Sequence, residues 1–284
     1  MQDTSGFAEK SSWDVAIRFQ DIKRFAHVPD KEKAQLKKRA IEGILERAYL
    51  VMGSVLKPET SRVVDHPTFL EKGARGELDV LETLEEAFMQ GYGSGKNSEI
   101  FRADMLRYDA RIEKETHVAL VMDASLSMTG EKIALLSVAT AVVALSVPSA
   151  RLSLMGFDSR IKWIKRFGEE LTVEQIIERI LELPAGGFTN MEIALKETHK
   201  ALRSFHKEHA NVIFIGDGKY TEGSDPSSLA SKFKHLSVLK LGKDQAGREL
   251  LQELCVKGNG HFFEARKIYE LPKTMYGAIR ILLR

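Results

Sequence analysis

From residue 117 onward the chain alternates short apolar runs of strand length with longer helical segments, a rhythm that few folds can use. Residues 117–122 (HVALVM), 151–157 (RLSLMGF), 211–215 (NVIFI), 236–241 and 261–264 read as strands. Helical segments are expected from about Lys132, then over 172–183, 191–208, 226–233, 245–256 and 268–283. A strand that is apolar along both faces needs cover on both, and strands separated by helices can run parallel. The expected fold class is therefore α/β, a doubly wound, mostly parallel sheet flanked by helices. Residues 161–167 (IKWIKRF) differ: they alternate as an exposed edge strand would, with lysines that discourage pairing to another chain. The longest uncharged stretch, 133–147, falls short of the roughly 20 apolar residues that cross a bilayer. It reads as a helix buried on most sides.

Ahead of this region, residues 13–106 have a helical pattern. Pro29-Asp30 supplies a breaker and an N-cap candidate, and Lys57-Pro58 ends the segment. Between them Ile41, Ile44, Leu45, Ala48, Val51, Met52 and Val55 form one apolar stripe, which needs a partner surface. A second, acidic helix is expected over 76–89, ending at a glycine-rich connector, 91–95. This gives a helical region and linker over 1–110, then an α/β domain over 111–284.

Composition narrows the function classes. Forty-two Lys plus Arg against 40 Asp plus Glu leave a net charge of +2, with no long-range field to draw the protein onto nucleic acid or anionic membrane. One cysteine, Cys255, excludes an internal disulfide framework. Asp3, Glu9, Lys10 and Asp14 stand where a signal peptide would need an apolar run, so the cytoplasm is the expected compartment.

In doubly wound sheets the binding site lies beyond the carboxyl ends of the strands. There the chain places hard oxygen donors on three loops. Asp123, Ser125 and Ser127 follow the first strand in Asp123-Ala124-Ser125-Leu126-Ser127; Thr189 follows Gly186-Gly187-Phe188; Asp217 stands between Gly216 and Gly218 after residues 211–215. Taken singly, the first is also a helix cap and the last a turn. In this order, after strands of one sheet, they resemble the metal-ion-dependent adhesion site (MIDAS) of von Willebrand factor A domains, over about 116–284.

That resemblance implies that Ser125, Ser127 and Thr189 meet the ion directly or nearly so, with Asp123 and Asp217 acting largely through water. Mg²⁺ keeps several waters and takes one or two carboxylates, and Mn²⁺ accepts the same ligands. An ion held mostly by neutral hydroxyls stays short of negative charge and favours a carboxylate from another molecule. The expected function is a protein-binding adaptor and not an enzyme, gripping a partner's Asp or Glu. Intracellular domains of this kind commonly work beside AAA+ ATPases of the MoxR or magnesium-chelatase type, and the segment Gly76-Glu77-Leu78-Asp79 resembles MoxR-associated proteins, which makes such an ATPase the partner class. The alternatives are a metal-dependent hydrolase and a ribonucleoprotein-associated protein.

Weaker signals point elsewhere. The segment 91–97 (GYGSGKN) lacks the first glycine and the Ser or Thr of a phosphate loop. Basic and aromatic residues interleave over 160–167, as nucleic acid binding would need, but an edge strand protected by its lysines is the favoured reading. His206 and His209 read as solvated and Cys255 as core; Asp158 reads as a rim residue of the metal loops or the start of a turn, and is left out of the site.

Overall fold

The computed structural model describes residues 11–24, 29–53, 61–65, 67, 75–89, 103–111, 116–184, 186–205 and 210–282. The glycine-rich segment 91–97 and the pair His206 and His209 lie outside them. Contacts divide the chain into two compact units, Met1–Lys57 together with Glu115–Leu283, and Pro58–Lys114.

The larger unit is built on a six-stranded sheet of β4 (His117–Asp123), β5 (Leu152–Phe157), β6 (Ile161–Lys165), β7 (Ala210–Gly216), β8 (Leu236–Leu241) and β9 (Asn259–Ala265). Its order is β6-β5-β4-β7-β8-β9. All neighbours run parallel except β6, which pairs antiparallel with β5 at one edge, as its alternating sequence leads one to expect. Side chains leave the central strands alternately to either face. Val118, Leu120, Met122, Ile213 and Ile215 enter one core, and Ala119, Val121, Val212 and Phe214 the other.

The first core is roofed by α1 (Ser12–Arg24), α2 (Asp30–Gly53), α4 (Glu131–Ser146), α5 (Val173–Glu182) and α9 (Leu271–Leu282), and the second by α6 (Met191–Ala201), α7 (Ser227–Ala230) and α8 (Arg248–Lys257). Helix α4 holds nearly all of the uncharged stretch, and twelve of its sixteen residues are buried. Thr172 begins α5 with a reciprocal capping box to Gln175. The apolar stripe of α2 meets this same core. Ile44, Ala48 and Val51 are buried in it, and Lys37 reaches across to Glu178 and Glu182 of α5 at 2.5 and 2.9 Å.

Two expectations are corrected here. The compact units do not divide at 110/111, because α1 and α2 bury their apolar faces on the sheet's own core. Nor is the region before residue 107 helical throughout. The smaller unit holds a three-stranded antiparallel sheet, β1 (Ser61–Asp65), β2 (Arg75–Leu78) and β3 (Arg107–Arg111), in the order β1-β3-β2. The segment 76–89 is not one helix: its first three residues finish β2, and α3 (Val80–Met89) begins after Asp79. The Asp79 carboxylate accepts from the Glu82 amide at 3.1 Å, which marks the helix start.

The lysines of β6 also differ from expectation. Lys165 is fully buried and donates to the carbonyls of Ser149, Leu152 and Arg166 at 2.6, 2.7 and 3.3 Å. Lys162 pairs with Asp158, and Arg166 stacks over Trp163 at 4.4 Å. The basic and aromatic residues of this edge are thus largely engaged within the fold.

Candidate functional site

Strand order reverses at β4: the chain first adds β5 and β6 on one side and then β7, β8 and β9 on the other. A reversal opens a crevice beyond the carboxyl ends of the strands that flank it. Asp123 is the last residue of β4, opposite Phe157 of β5, and Asp217 directly follows β7. Gly216 lets these two ends close on each other. A Cβ there would stand 2.9 Å from the Asp123 Cβ and 3.3 Å from its Oδ2.

Asp123 is fully buried. Its Oδ1 accepts from the Ser125 amide at 2.8 Å, whereas Oδ2 is buried with no hydrogen-bond partner among the described residues. The loop is fixed by the Ala124 amide donating to the Phe157 carbonyl at 2.8 Å and by a turn from the Met128 amide to the Ser125 carbonyl at 3.0 Å. The Ser125 and Ser127 hydroxyls lie 3.0 Å apart. Asp217, also fully buried, accepts from the Lys219 amide at 3.2 Å on Oδ1 and from the Lys132 ammonium at 2.7 Å on Oδ2.

Thr189 is buried in the third loop, which is laced to the others. Its amide donates to the Thr221 hydroxyl at 3.0 Å, and its carbonyl accepts from the amides of Thr221 and Glu222 at 3.0 and 3.2 Å. On its other side the Asn190 amide donates to the Asp158 carbonyl at 3.0 Å, and the Asn190 side chain caps α6. The structure therefore brings Asp123, Ser125, Ser127 and Asp217 to one crevice and ties the Thr189 loop to the chain that follows Asp217. Asp158 stays apart, its carboxylate taken up by Lys162 and by the Arg160 amide at 2.8 Å.

Burial raises the Asp123 carboxyl to about 7; the Ser125 hydrogen bonds oppose this, the negative Asp217 adds to it, and the positive Lys132 subtracts from it. A buried carboxylate oxygen without a donor is costly, and a cation is one group that relieves it. Among the described residues no three His, Cys, Asp or Glu side chains cluster as metal ligands. Any cation held here must therefore draw on the serine and threonine hydroxyls. The carboxylates of Asp123 and Asp217 with the hydroxyls of Ser125, Ser127 and Thr189 would give an all-oxygen donor set, which suits a hard divalent ion. Beside the site Lys219 pairs with Asp244, which this lysine holds down at about 2.

Two features escaped the motif. Lys132 sits in the first turn of α4, nine residues after Asp123, where a lysine reads as solvated until its contact with Asp217 is seen. The second is apolar: each loop carries one exposed large side chain, Leu126 (58% exposed), Phe188 (67%) and Tyr220 (40%). Cys255, as expected, is core; burial pushes its thiol up to about 12.

A central parallel sheet with one antiparallel edge strand and helices on both faces is the fold this chain shares with a solved von Willebrand factor type A structure. Residues 118–219 match the family model described as the von Willebrand factor type A domain. A von Willebrand factor type A protein from Catenulispora acidiphila superimposes with a TM-score of 0.52 at 14% identity, over 63% of this chain and 45% of that one. Proximal thread matrix protein 1 from the mussel byssus, solved with a zinc-occupied MIDAS motif, reaches a TM-score of 0.48 at 18% identity over 59% of this chain and 48% of that one. In sequence the chain is 27% identical over 100 residues to the uncharacterized protein YwmD of Bacillus subtilis. That match takes in 33% of this chain and 45% of YwmD, so the similarity spans less than half of the relative. Among the described residues no helix is long and apolar enough to cross a membrane.

Proposed function

We propose that Asp123, Ser125, Ser127, Thr189 and Asp217 hold a divalent cation, Mg²⁺ or Mn²⁺, through which the protein grips an aspartate or glutamate of a partner. The observation that carries this is the Asp123 Oδ2, a buried acceptor with no donor among the described residues. The resident ion would act as a Lewis acid with a position open to an oxygen ligand. The chain's own part is to orient the donors and shield them from water. Leu126, Phe188 and Tyr220 support a protein ligand over a small one, because apolar side chains around a polar centre are what a docking surface needs. Binding is favoured over catalysis because Asp158, the carboxylate that follows β5, is tied to Lys162 and the Arg160 amide and is not free to serve as a base. The setting proposed is a cytoplasmic adaptor working with a MoxR-type AAA+ ATPase in remodelling protein complexes or inserting metal.

The test is thermal unfolding of wild type and Asp123→Ala in EDTA, Mg²⁺ and Mn²⁺. A ligand that binds only the folded state raises its stability, by about 2.7 kcal/mol at a hundred times its dissociation constant. A rise in wild type that is absent in the variant is expected; an equal rise in both would remove the site. Pull-downs in Mg²⁺ and in EDTA then test the partner, and recovery of the same proteins in both would overturn metal-dependent capture.

A further inference from the structure

We propose that Lys132 sets the charge of the loaded centre, keeping it positive so that its open position takes an anion; this rests on the metal reading above. Two ionised carboxylates, Asp123 and Asp217, would together cancel a divalent ion and leave nothing to attract a carboxylate from outside. The ammonium of Lys132, 2.7 Å from the Asp217 Oδ2, restores one positive charge. The other charged pair nearby, Lys219 with Asp244, cancels within itself.

Lys132 is also held where it stands. Its side chain is about one-fifth exposed, and Gly242, at φ +90°, lies against it so closely that a Cβ there would be 2.8 Å from the Lys132 Cε. Asp217 is fixed from both sides, by this ammonium and by the Lys219 amide. The lysine therefore has an effect that a purely structural anchor would not have. It repels the metal while strengthening the metal's hold on an anion, so its removal should move the two affinities in opposite directions.

The measurement is Mn²⁺ binding by electron paramagnetic resonance, with and without acetate as the anion, for wild type, Lys132→Gln and Lys132→Arg. In wild type, acetate should tighten Mn²⁺ binding. Lys132→Gln should bind Mn²⁺ about tenfold more tightly by loss of the Coulomb repulsion and lose most of the acetate effect, whereas Lys132→Arg should keep wild-type behaviour. Weaker Mn²⁺ binding in a folded Lys132→Gln, or an undiminished acetate effect, would overturn the charge-setting role and leave the metal site standing. No Mn²⁺ binding by wild type would overturn both. Should the Gln variant fail to fold, acetate in wild type still decides: Mn²⁺ binding that acetate does not tighten rejects the proposal.

Discussion

Asp123→Asn should make the metal-free protein more stable at pH 8 while abolishing its response to metal. A carboxyl raised from 3.8 to about 7 keeps, between those two values, a proton that the unfolded chain has already released. The folded state binds more protons across that window, so the metal-free fold loses stability as pH climbs from about 4 to 7, and the loss is complete above it. About three pH units correspond to an upper limit near 4 kcal/mol. The amide of asparagine brings its own buried donor, which costs about 1–3 kcal/mol if unmet. A net gain of roughly 1–3 kcal/mol at pH 8 remains, or about 2–4 °C in Tm per kcal/mol for a unit of this size. The assay is thermal unfolding of both proteins in EDTA at pH 5 and pH 8, and again in Mg²⁺ at pH 8. The variant should lead in EDTA at pH 8, lose much of that lead at pH 5, and fall behind once Mg²⁺ stabilises wild type alone. A variant less stable than wild type in EDTA at pH 8 would refute the reasoning, as would a wild-type Tm that does not fall between pH 5 and 8.

Gly216→Ala should lower stability by roughly 1–3 kcal/mol, since its methyl group would press on the Asp123 Cβ, and should remove the Mg²⁺-induced rise in Tm. Leu126→Ser combined with Phe188→Ser should weaken partner capture in a Mg²⁺ pull-down while shifting stability in EDTA by less than about 0.5 kcal/mol per site, because both side chains face solvent. Lys165→Met should lower the urea midpoint by an amount equivalent to roughly 2–4 kcal/mol, because three carbonyls lose their shared donor far from the crevice; its Mg²⁺ response should persist.

How much of this was legible in the sequence depends on where polar residues fall. The strands β4, β5, β7 and β8 are buried on both faces and so are nearly all apolar, which makes them visible without a structure. The candidate site stood out for the converse reason: its oxygen donors interrupt that pattern just where strands end. The smaller sheet was not, because its strands SRVVD, RGEL and RYDAR carry too few apolar residues to show a period of two, and RGEL runs without a break into an acidic helix. Lys132 was hidden differently. Its partner Asp217 lies 85 residues away, and only the folding of β7 beside β4 brings them together.

Buried charge sets the candidate site apart from the rest of the core. Among the described residues of the larger unit, four charged side chains are fully buried: Asp123, Lys165, Asp217 and Lys240. Lys165 finds three carbonyls, and Lys240 finds the Gly242 carbonyl at 3.2 Å and the Glu264 carboxylate at 3.4 Å. Asp217 has an amide and an ammonium. Only Asp123 keeps an oxygen without a donor among the described residues. A buried charge that is met inside the fold recovers much of its desolvation cost; one that is not met leaves that cost standing until something arrives from outside. The uncompensated carboxylate stands at the point where strand order reverses, beside two hydroxyls and a second carboxylate. Its destabilisation of the empty fold and its capacity to hold a cation have the same physical origin.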